Sequence, residues 1–347
     1  VDALIVRSVT RVSEPLLAGS SVKFVGTATI GCDHVDLEYL RSRGIAFASA
    51  PGSNATSVAE YVVAALLRSA AARRRSLEGS TLAVIGVGNV GARVAQKAEA
   101  IGMRCALNDP PRQRVSRDVT FVALDEAVAG AEYVTLHVPL ESTGPDRTVG
   151  MAGRAFFDGM RAGAVFLNTS RGPVVDETAL AAALESGHLS HAVLDVWQRE
   201  PDIDAHLVER VFLATPHIAG YSFDGKVRAT IMIVQALGQW LQRPEDLDLS
   251  SVMPPFGRRV DLSEAPSYGS DDEDLLRIAV SSAYDIAEDD RALRRAMTMA
   301  APGAEFDLLR KNYRQRREFH HTTIVLPKRK EALIGKVRRL GFGVETP

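Results

Sequence analysis

The stretch STLAVIGVGNVGARVAQKAEAIGMRCALND, Ser80 to Asp109, contains every part of a nucleotide-binding βαβ unit. Thr81–Ile85 is an apolar run of strand length. VIGVGNVG then supplies G-x-G-x-x-G at Gly86, Gly88 and Gly91, a helical segment runs to about Ile101, and a second strand over Arg104–Leu107 leads to Asp109. The glycine pattern alone is weak, because a glycine-rich chain produces it by chance. The strand before it, the helix after it and the acid closing the next strand make it specific. Gly86 permits the tight turn, Gly88 lets backbone approach a pyrophosphate, and Gly91 lets the helix pack on the strand. N–H groups at the helix start then face the phosphates. Asp109 can accept hydrogen bonds from both ribose hydroxyls and repels the additional phosphate of NADP, so NAD is the expected cofactor. Arg112 and Arg114 stand nearby, and a guanidinium there could serve a 2′-phosphate.

Upstream of this unit the same alternation is visible. Strands are expected over Ala3–Val6, Val22–Thr27 and Ile45–Ser49, with helices over Glu14–Ala18 and Asp36–Arg43. A strand at the very first residues leads one to expect missing upstream sequence. A long helix follows from Ser57 to Arg74, with Ser57 and Glu60 spaced as a capping box and Tyr61, Ala64, Ala65 and Leu67 as its apolar face. Downstream, strands are expected over Val119–Phe121, Tyr133–His137, Ala164–Asn168 and Ala192–Val196, and a second long helix over Gly225–Leu241. Strands alternating with helices argue for a mostly parallel sheet.

The texture changes after Leu241. QRPEDLDLSSVMPPFGRRVDLSEAPSYGSDDED reads as linker. Beyond it, Glu273–Ala300 is expected to be helical with a break near Asp289, Ala304–Phe319 helical, His320–Leu326 a strand, Lys330–Leu340 a helix and Phe342–Val344 a strand. That makes a small C-terminal α+β domain without a metal-ligand spacing or a nucleophile constellation. Its basic segment KNYRQRREFHH reads as a solvated helix face. The apolar faces at Leu275, Leu276, Ile278, Ala279, Phe306, Leu309 and Tyr313, together with an edge at His320–Leu326, favour packing against a second subunit. A domain binding a regulatory small molecule is the alternative.

With 347 residues and a formal net charge of −2, nothing global favours nucleic acid or an anionic membrane. No apolar run reaches spanning length and the start has no signal-peptide pattern. Cys32 and Cys105 lie far apart, which speaks against a disulfide framework and for a reducing, cytoplasmic setting; both read as core thiols.

Three polar islands follow the glycine loop, each just beyond an apolar strand: NTSRG with Arg171, LDVWQREP with Asp195 and Glu200, and TPHIAG with His217. Groups at the carboxyl ends of parallel strands line the crevice in which a dinucleotide lies. Oxidising a secondary alcohol needs a base for the O–H proton, and histidine serves in both directions near neutrality. A carboxylate on its other ring nitrogen fixes the tautomer. An arginine fork fits a substrate carboxylate. Arg171, Glu200 and His217 are therefore the catalytic candidates.

VIGVGNVGARVA, HVPL, FLNTSRGPVVDETAL, LDVWQREP and TPHIAG resemble, in order, the signatures of the D-isomer-specific 2-hydroxyacid dehydrogenase family, over roughly Val1–Leu241. The resemblance implies two Rossmann-like doubly wound parallel-sheet domains plus the C-terminal dimerisation domain. The boundaries are 1–56 for the catalytic domain, which the expected missing leader would complete, 57–220 for the NAD-binding domain, 221–254 for a return helix and 255–347 for the C-terminal domain. It implies Arg171 for substrate binding, His217 as acid/base and Glu200 as its partner. Cofactor contacts would come from Gly86, Gly88, Asn89, Val90, Gly91, Asp109, Val138, Pro139, Thr169, Ser170, Asp195 and Gly220. Val138 stands where many relatives have Thr, which removes a hydroxyl but leaves backbone contacts.

VRSVTRV, GTATIGCDHVD, APGSNATSVAEYV and TPHIAGYSFDGK are similar to a branch of that family whose substrate is a phosphorylated sugar acid and whose C-terminal extension makes a homodimer. That resemblance implies substrate contacts from Ser8, Thr29 and Tyr221. From the residues themselves, Arg7, Ser8, Thr10 and Arg11 cluster after the first strand, and Thr29, Ile30 and Gly31 offer a turn whose N–H groups could hold a carboxylate. Which cluster takes the phosphate stays open, as does a solvated Arg11. A dehydrogenase of the 3-phosphoglycerate or hydroxypyruvate type, and a NAD-sensing scaffold or corepressor, are the competing functions.

Overall fold

Short parallel strands recur throughout the computed structural model, which describes residues 1–116, 121–244, 246–247, 252–254, 256–264, 272–327 and 330–347. The chain divides into two units, Val1–Ser57 with Tyr221–Phe256, and Val58–Gly220 with Gly257–Pro347.

In the first unit, β1 (Ala3–Val6), β2 (Phe24–Thr27) and β3 (Ala46–Ala48) form a parallel sheet in the order β1-β2-β3. The expected strand from Val22 starts at Phe24. The helix Phe223–Trp240 packs on β2 and begins where Ser222 Oγ accepts the Gly225 N–H at 2.8 Å. Gly26 makes that packing possible, since a Cβ there would lie 2.6 Å from Ile233 Cγ2. Ala28, Ala50, Ala229 and Ile233 fill the space between.

The second unit is built on β4 (Thr81–Ile85), β5 (Arg104–Asn108), β6 (Tyr133–Leu136), β7 (Ala164–Asn168), β8 (Leu189–Leu194) and β9 (Leu213–Ala214). All pair in parallel, in the order β5-β4-β6-β7-β8-β9. Strand order reverses at β4, so the carboxyl ends of β4 and β6 form the switch point at which an open α/β sheet binds its ligand. Of the strand expected over Val119–Phe121, residues 117–120 lie outside those described, and Phe121 makes a parallel bridge to Leu107. The strand expected over Ala192–Val196 begins at Leu189 instead.

The long helix is Ala55–Arg73, so Ser57 and Glu60 lie inside it and are not a capping box. Ser57 Oγ sits 2.6 Å from Ser222 Oγ, and Glu60 Oε1 accepts the Phe319 N–H at 2.9 Å. From Ser57 to Leu67 every residue of this helix is buried. Tyr61, Ala64, Ala65 and Leu67 are thus part of a buried surface that runs all the way round and includes the polar Ser57 and Glu60.

The C-terminal segment belongs to this second unit. Its strands β10 (Arg258–Asp261), β11 (Thr322–Val325) and β12 (Gly343–Glu345) pair in parallel in the order β10-β11-β12. β10 forms inside the stretch read as linker, and β11 is therefore the central strand rather than an exposed edge. The helical break falls at Tyr284–Asp285, where Asp285 accepts the Ala287 N–H at 3.0 Å and caps the helix Ile286–Ala296. The next helix, Pro302–Lys311, stops well short of Phe319. Arg316 and Arg317, expected on a solvated face, are buried. So are Leu275, Leu276, Ala279 and Phe306, which removes them from any surface facing a second subunit.

Helix Ile286–Ala296 closes the sheet's edge from within the chain. Asp290 Oδ1 accepts the Ala214 N–H of β9 at 2.8 Å, while Arg294 donates to the carbonyls of Val208 and Val211 at 2.5 and 2.8 Å. Leu293 and Phe306 join Trp197, Leu207 and Val211 in one apolar core. Among the described residues, no helix is long and apolar enough to cross a membrane.

Because Phe306 is fully buried in the core that holds Trp197, Phe306→Ala should destabilise the unit by about 3–5 kcal/mol. Urea unfolding read from Trp197 fluorescence in a Trp240→Phe background measures this. An unchanged Trp197 transition would mean that the C-terminal helices do not share the core.

Candidate active site

The glycine loop meets each demand separately. Gly86 has φ +87°, and a Cβ there would lie 2.8 Å from the His137 backbone. A Cβ on Gly91 would lie 1.9 Å from Gly86 O, so only glycine lets the helix Asn89–Ala100 start this close to β4. Gly88 faces open space, with nothing within 4 Å of its would-be Cβ. That helix has no side-chain cap, which leaves its first N–H groups for an anion. Asp109 accepts the Val87 N–H at 2.8 Å and the Arg112 N–H at 3.0 Å, which fixes its carboxylate beside the loop. Arg112 Nη1 donates to Val87 O at 2.5 Å, and Arg114 pairs with Asp146.

At the end of β7, Asn168 builds the turn that carries Arg171. Its Oδ1 accepts the Ser170 N–H at 3.0 Å and the Ser170 hydroxyl at 2.7 Å, and its Nδ2 donates to Arg171 O at 3.0 Å. An asparagine at a strand end, ahead of small polar residues, is the sequence signal for such a turn. Gly172 follows because a Cβ there would lie 1.8 Å from Trp197 O. Backbone contact at this point ties the Arg171 turn to the 197–200 loop. Arg171 Nη1 donates to Ser170 O at 2.8 Å. Thr169 Oγ1 lies 3.3 Å from His137 Nδ1, and His137 Nε2 lies 3.0 Å from Thr135 Oγ1. Burial pushes His137 down to about 3, so this histidine beside the loop stays neutral.

His217 Nδ1 lies 2.7 Å from Glu200 Oε2, and Glu200 Oε1 accepts the Trp197 N–H at 3.0 Å. Burial raises the Glu200 pKa, but His217 and the Trp197 N–H outweigh it and hold the carboxyl below the usual range. An ionised carboxylate only accepts, so Nδ1 carries the proton and Nε2 presents the lone pair. The two side chains are 32% and 20% exposed, enough for a substrate to reach the ring.

Asp195, expected among the cofactor contacts, has a buried carboxylate that holds the His217 turn: Oδ1 accepts from Thr215 Oγ1 at 2.6 Å and Ile218 N at 2.8 Å, and Oδ2 accepts from Ala219 N at 2.9 Å. Asp195 O accepts the His217 N–H at 2.7 Å. The second unit thus brings the glycine loop, Asp109, Val138, Pro139, Thr169, Ser170, Arg171, Glu200, His217 and Gly220 onto one body.

Arg7, Ser8, Thr29, Ile30, Gly31 and Tyr221 belong to the first unit. There, Thr27 Oγ1 lies 2.7 Å from Thr29 Oγ1 and 2.9 Å from His34 Nε2, and Thr29 Oγ1 donates to Gly31 O at 2.9 Å. Sequence reasoning missed Lys226, whose Nζ lies 4.8 Å from the Tyr221 ring centroid. Burial, and then the neighbouring Arg7 charge, hold its pKa below the usual lysine range. Among the described residues neither cation is paired with a carboxylate. Both cysteines are free thiols, half-buried rather than in the core, and burial pushes Cys105 up to about 12.

Residues 53–219 match the D-isomer specific 2-hydroxyacid dehydrogenase, NAD binding domain, and residues 259–341 match a domain of unknown function, DUF3410. The chain is 44% identical over 343 residues to erythronate-4-phosphate dehydrogenase of Cronobacter sakazakii, covering 98% of this chain and 88% of that one. It is 47% identical over 329 residues to the protein of the same name in Salinibacter ruber, covering 93% and 84%. Among solved structures, D-lactate dehydrogenase from Aquifex aeolicus, complexed with NAD and lactic acid, is similar with a TM-score of 0.58 and 26% identity, covering 70% of this chain and 83% of that one.

The lowered pKa of Glu200 has a definite consequence for stability. Its ionised form stabilises the fold above the unfolded-state value, and that contribution is lost as pH falls through the folded-state value. Between about pH 5 and pH 3 the wild type should therefore lose more stability than Glu200→Gln, as read from urea midpoints. Parallel profiles would remove the electrostatic pairing from the account.

Proposed function

The chain belongs to the D-isomer specific 2-hydroxyacid dehydrogenase family, and from that premise we propose that it oxidises 4-phospho-D-erythronate to 2-oxo-3-hydroxy-4-phosphobutanoate with NAD. That reaction belongs to pyridoxal phosphate biosynthesis. NAD-dependent dehydrogenation of a 2-hydroxy acid is the activity of the family. The finer reading is supported by similarity that runs on through the C-terminal segment, over 98% of the chain.

The observation that carries the chemistry is the 2.7 Å contact of His217 with Glu200. His217 Nε2 takes the proton of the substrate 2-hydroxyl, and Glu200 stabilises the imidazolium that results. Arg171 holds the substrate carboxylate with its planar fork. Gly86, Gly88, Asn89, Val90 and Gly91 cradle the pyrophosphate, Asp109 takes the ribose, and Val138, Pro139, Thr169, Ser170 and Gly220 border the rest. Bound NAD supplies the hydride acceptor. Preference for NAD over NADP is supported by Asp109 beside the loop, with Arg112 held on Val87 O and Arg114 on Asp146.

Ser8, Thr29, Ile30, Gly31 and Tyr221 are proposed substrate contacts. For the phosphate the proposal names Arg7 and Lys226, two neighbouring cations whose mutual repulsion a dianion would relieve. A cytoplasmic homodimer completes the reading. Its support is Ile278, Met299 and Leu308, which stay exposed on the C-terminal segment. Light scattering of the wild type and of Leu308→Glu tests it.

A panel of 4-phosphoerythronate, 3-phosphoglycerate and unphosphorylated erythronate, followed through NADH absorbance, tests the substrate. Fastest turnover of 3-phosphoglycerate would replace the proposed substrate. No NADH from any 2-hydroxy acid, despite tight NAD binding, would favour the scaffold. His217→Ala should lower the rate roughly 10²–10⁴-fold while keeping NAD affinity, and wild-type turnover would exclude it as the base. Lys226→Met should raise KM for the phosphorylated acid and leave erythronate oxidation unchanged. Equal effects on both acids would take Lys226 out of the phosphate site.

A further inference from the structure

We infer that Arg316, in the C-terminal segment, is a positioning residue for the turn that presents His217, so that this segment completes the active site of its own chain. The inference rests on the reading of His217 as acid/base. His217 has φ +56°, backbone that a residue with a side chain keeps only where its surroundings over-determine it. Asp195 holds the turn through its N–H groups and the Thr215 hydroxyl, and Trp197 Nε1 donates to Thr215 O at 3.0 Å. The Ala219 carbonyl is held from the other side, by Arg316 Nη1 at 3.1 Å.

Arg316 is built into place. Its side chain is 1% exposed, and its guanidinium carbon lies 3.8 Å from the Tyr284 ring centroid. Nη2 lies 3.9 Å from Glu60 Oε2, and Glu60 is fixed in turn by the Phe319 N–H. The titratable groups around the guanidinium are Tyr284, Tyr313, Glu60 and Asp289, with Lys97 and Glu318 beyond Glu60. Burying a guanidinium is costly, and apolar residues often serve packing equally well. What an apolar residue cannot supply is a donor fixed in direction by a stacked, planar group and aimed at Ala219 O. A shift of the turn would displace His217 Nε2 relative to the substrate hydroxyl while leaving the glycine loop untouched.

The test compares full-length variants with NAD and 4-phosphoerythronate. Arg316→Met combined with Glu60→Gln removes the buried guanidinium together with the carboxyl group beside it, which guards against unfolding. Its kcat should fall by about 10-fold or more, the scale of a misplaced reacting group, with KM for NAD unchanged and the pH–rate profile moved. Arg316→Lys should recover only part of the loss. Lys97→Met is the control: Lys97 lies in the same cluster, 3.9 Å from Glu60, and donates to Leu340 O rather than to the turn. It should lower the melting temperature without altering kcat or the profile. An equal kcat loss in the control, or wild-type kcat in the Arg316 double variant beside an inactive His217→Ala, overturns the inference. Wild-type turnover in His217→Ala overturns the acid/base reading, and this inference with it.

Discussion

The contact between His217 Nδ1 and Glu200 Oε2 is the constraint on which the rest of the site depends. It sets which ring nitrogen carries the proton, and so which one is offered outward. Neither residue could hold the contact alone, because they come from different loops. Glu200 is aimed by the Trp197 N–H, and its loop can lie against the Arg171 turn only because residue 172 has no side chain. His217 is aimed by a left-handed backbone that Asp195 stabilises from beneath. The two carboxylates near His217 therefore have separate tasks. Glu200, reachable from solvent, acts on the ring, while Asp195, fully buried, acts on the backbone.

Much of this was legible in the sequence because it depends on local pattern. β1, β4 and β7 fall where their apolar runs fall, and the three glycines of the loop each meet a different steric demand. Arg171, Glu200 and His217 were singled out because each follows an apolar strand. Asp195 was singled out too, but its hold on the His217 turn was not legible, because a carboxylate in such an island does not show in the sequence that it accepts from Ile218 N and Ala219 N.

The C-terminal segment was the least legible, for a physical reason. KNYRQRREFHH has the charge density of a solvated face, yet Arg316 and Arg317 are buried, and the acceptor of Arg316, Ala219 O, comes from a remote position. Glu60 reaches Phe319 across most of the chain, so the local spacing of Ser57 and Glu60 pointed to a capping box that does not form. Leu275 and Phe306 looked like faces awaiting a second subunit. They are covered by the chain itself, and β11 looked like an edge because the pairing of β10 was hidden in a stretch rich in proline and glycine.

Nitrogen NMR of labelled histidine, with the imidazole neutral and His217 assigned through its alanine variant, tests the central claim most directly. The account predicts a His217 signal of the Nδ1-protonated tautomer, with the Nδ1 proton shifted by its bond to Glu200 and lost as a distinct signal in Glu200→Gln. A dominant Nε2-protonated ring would contradict it, because that nitrogen could not then receive the substrate's proton.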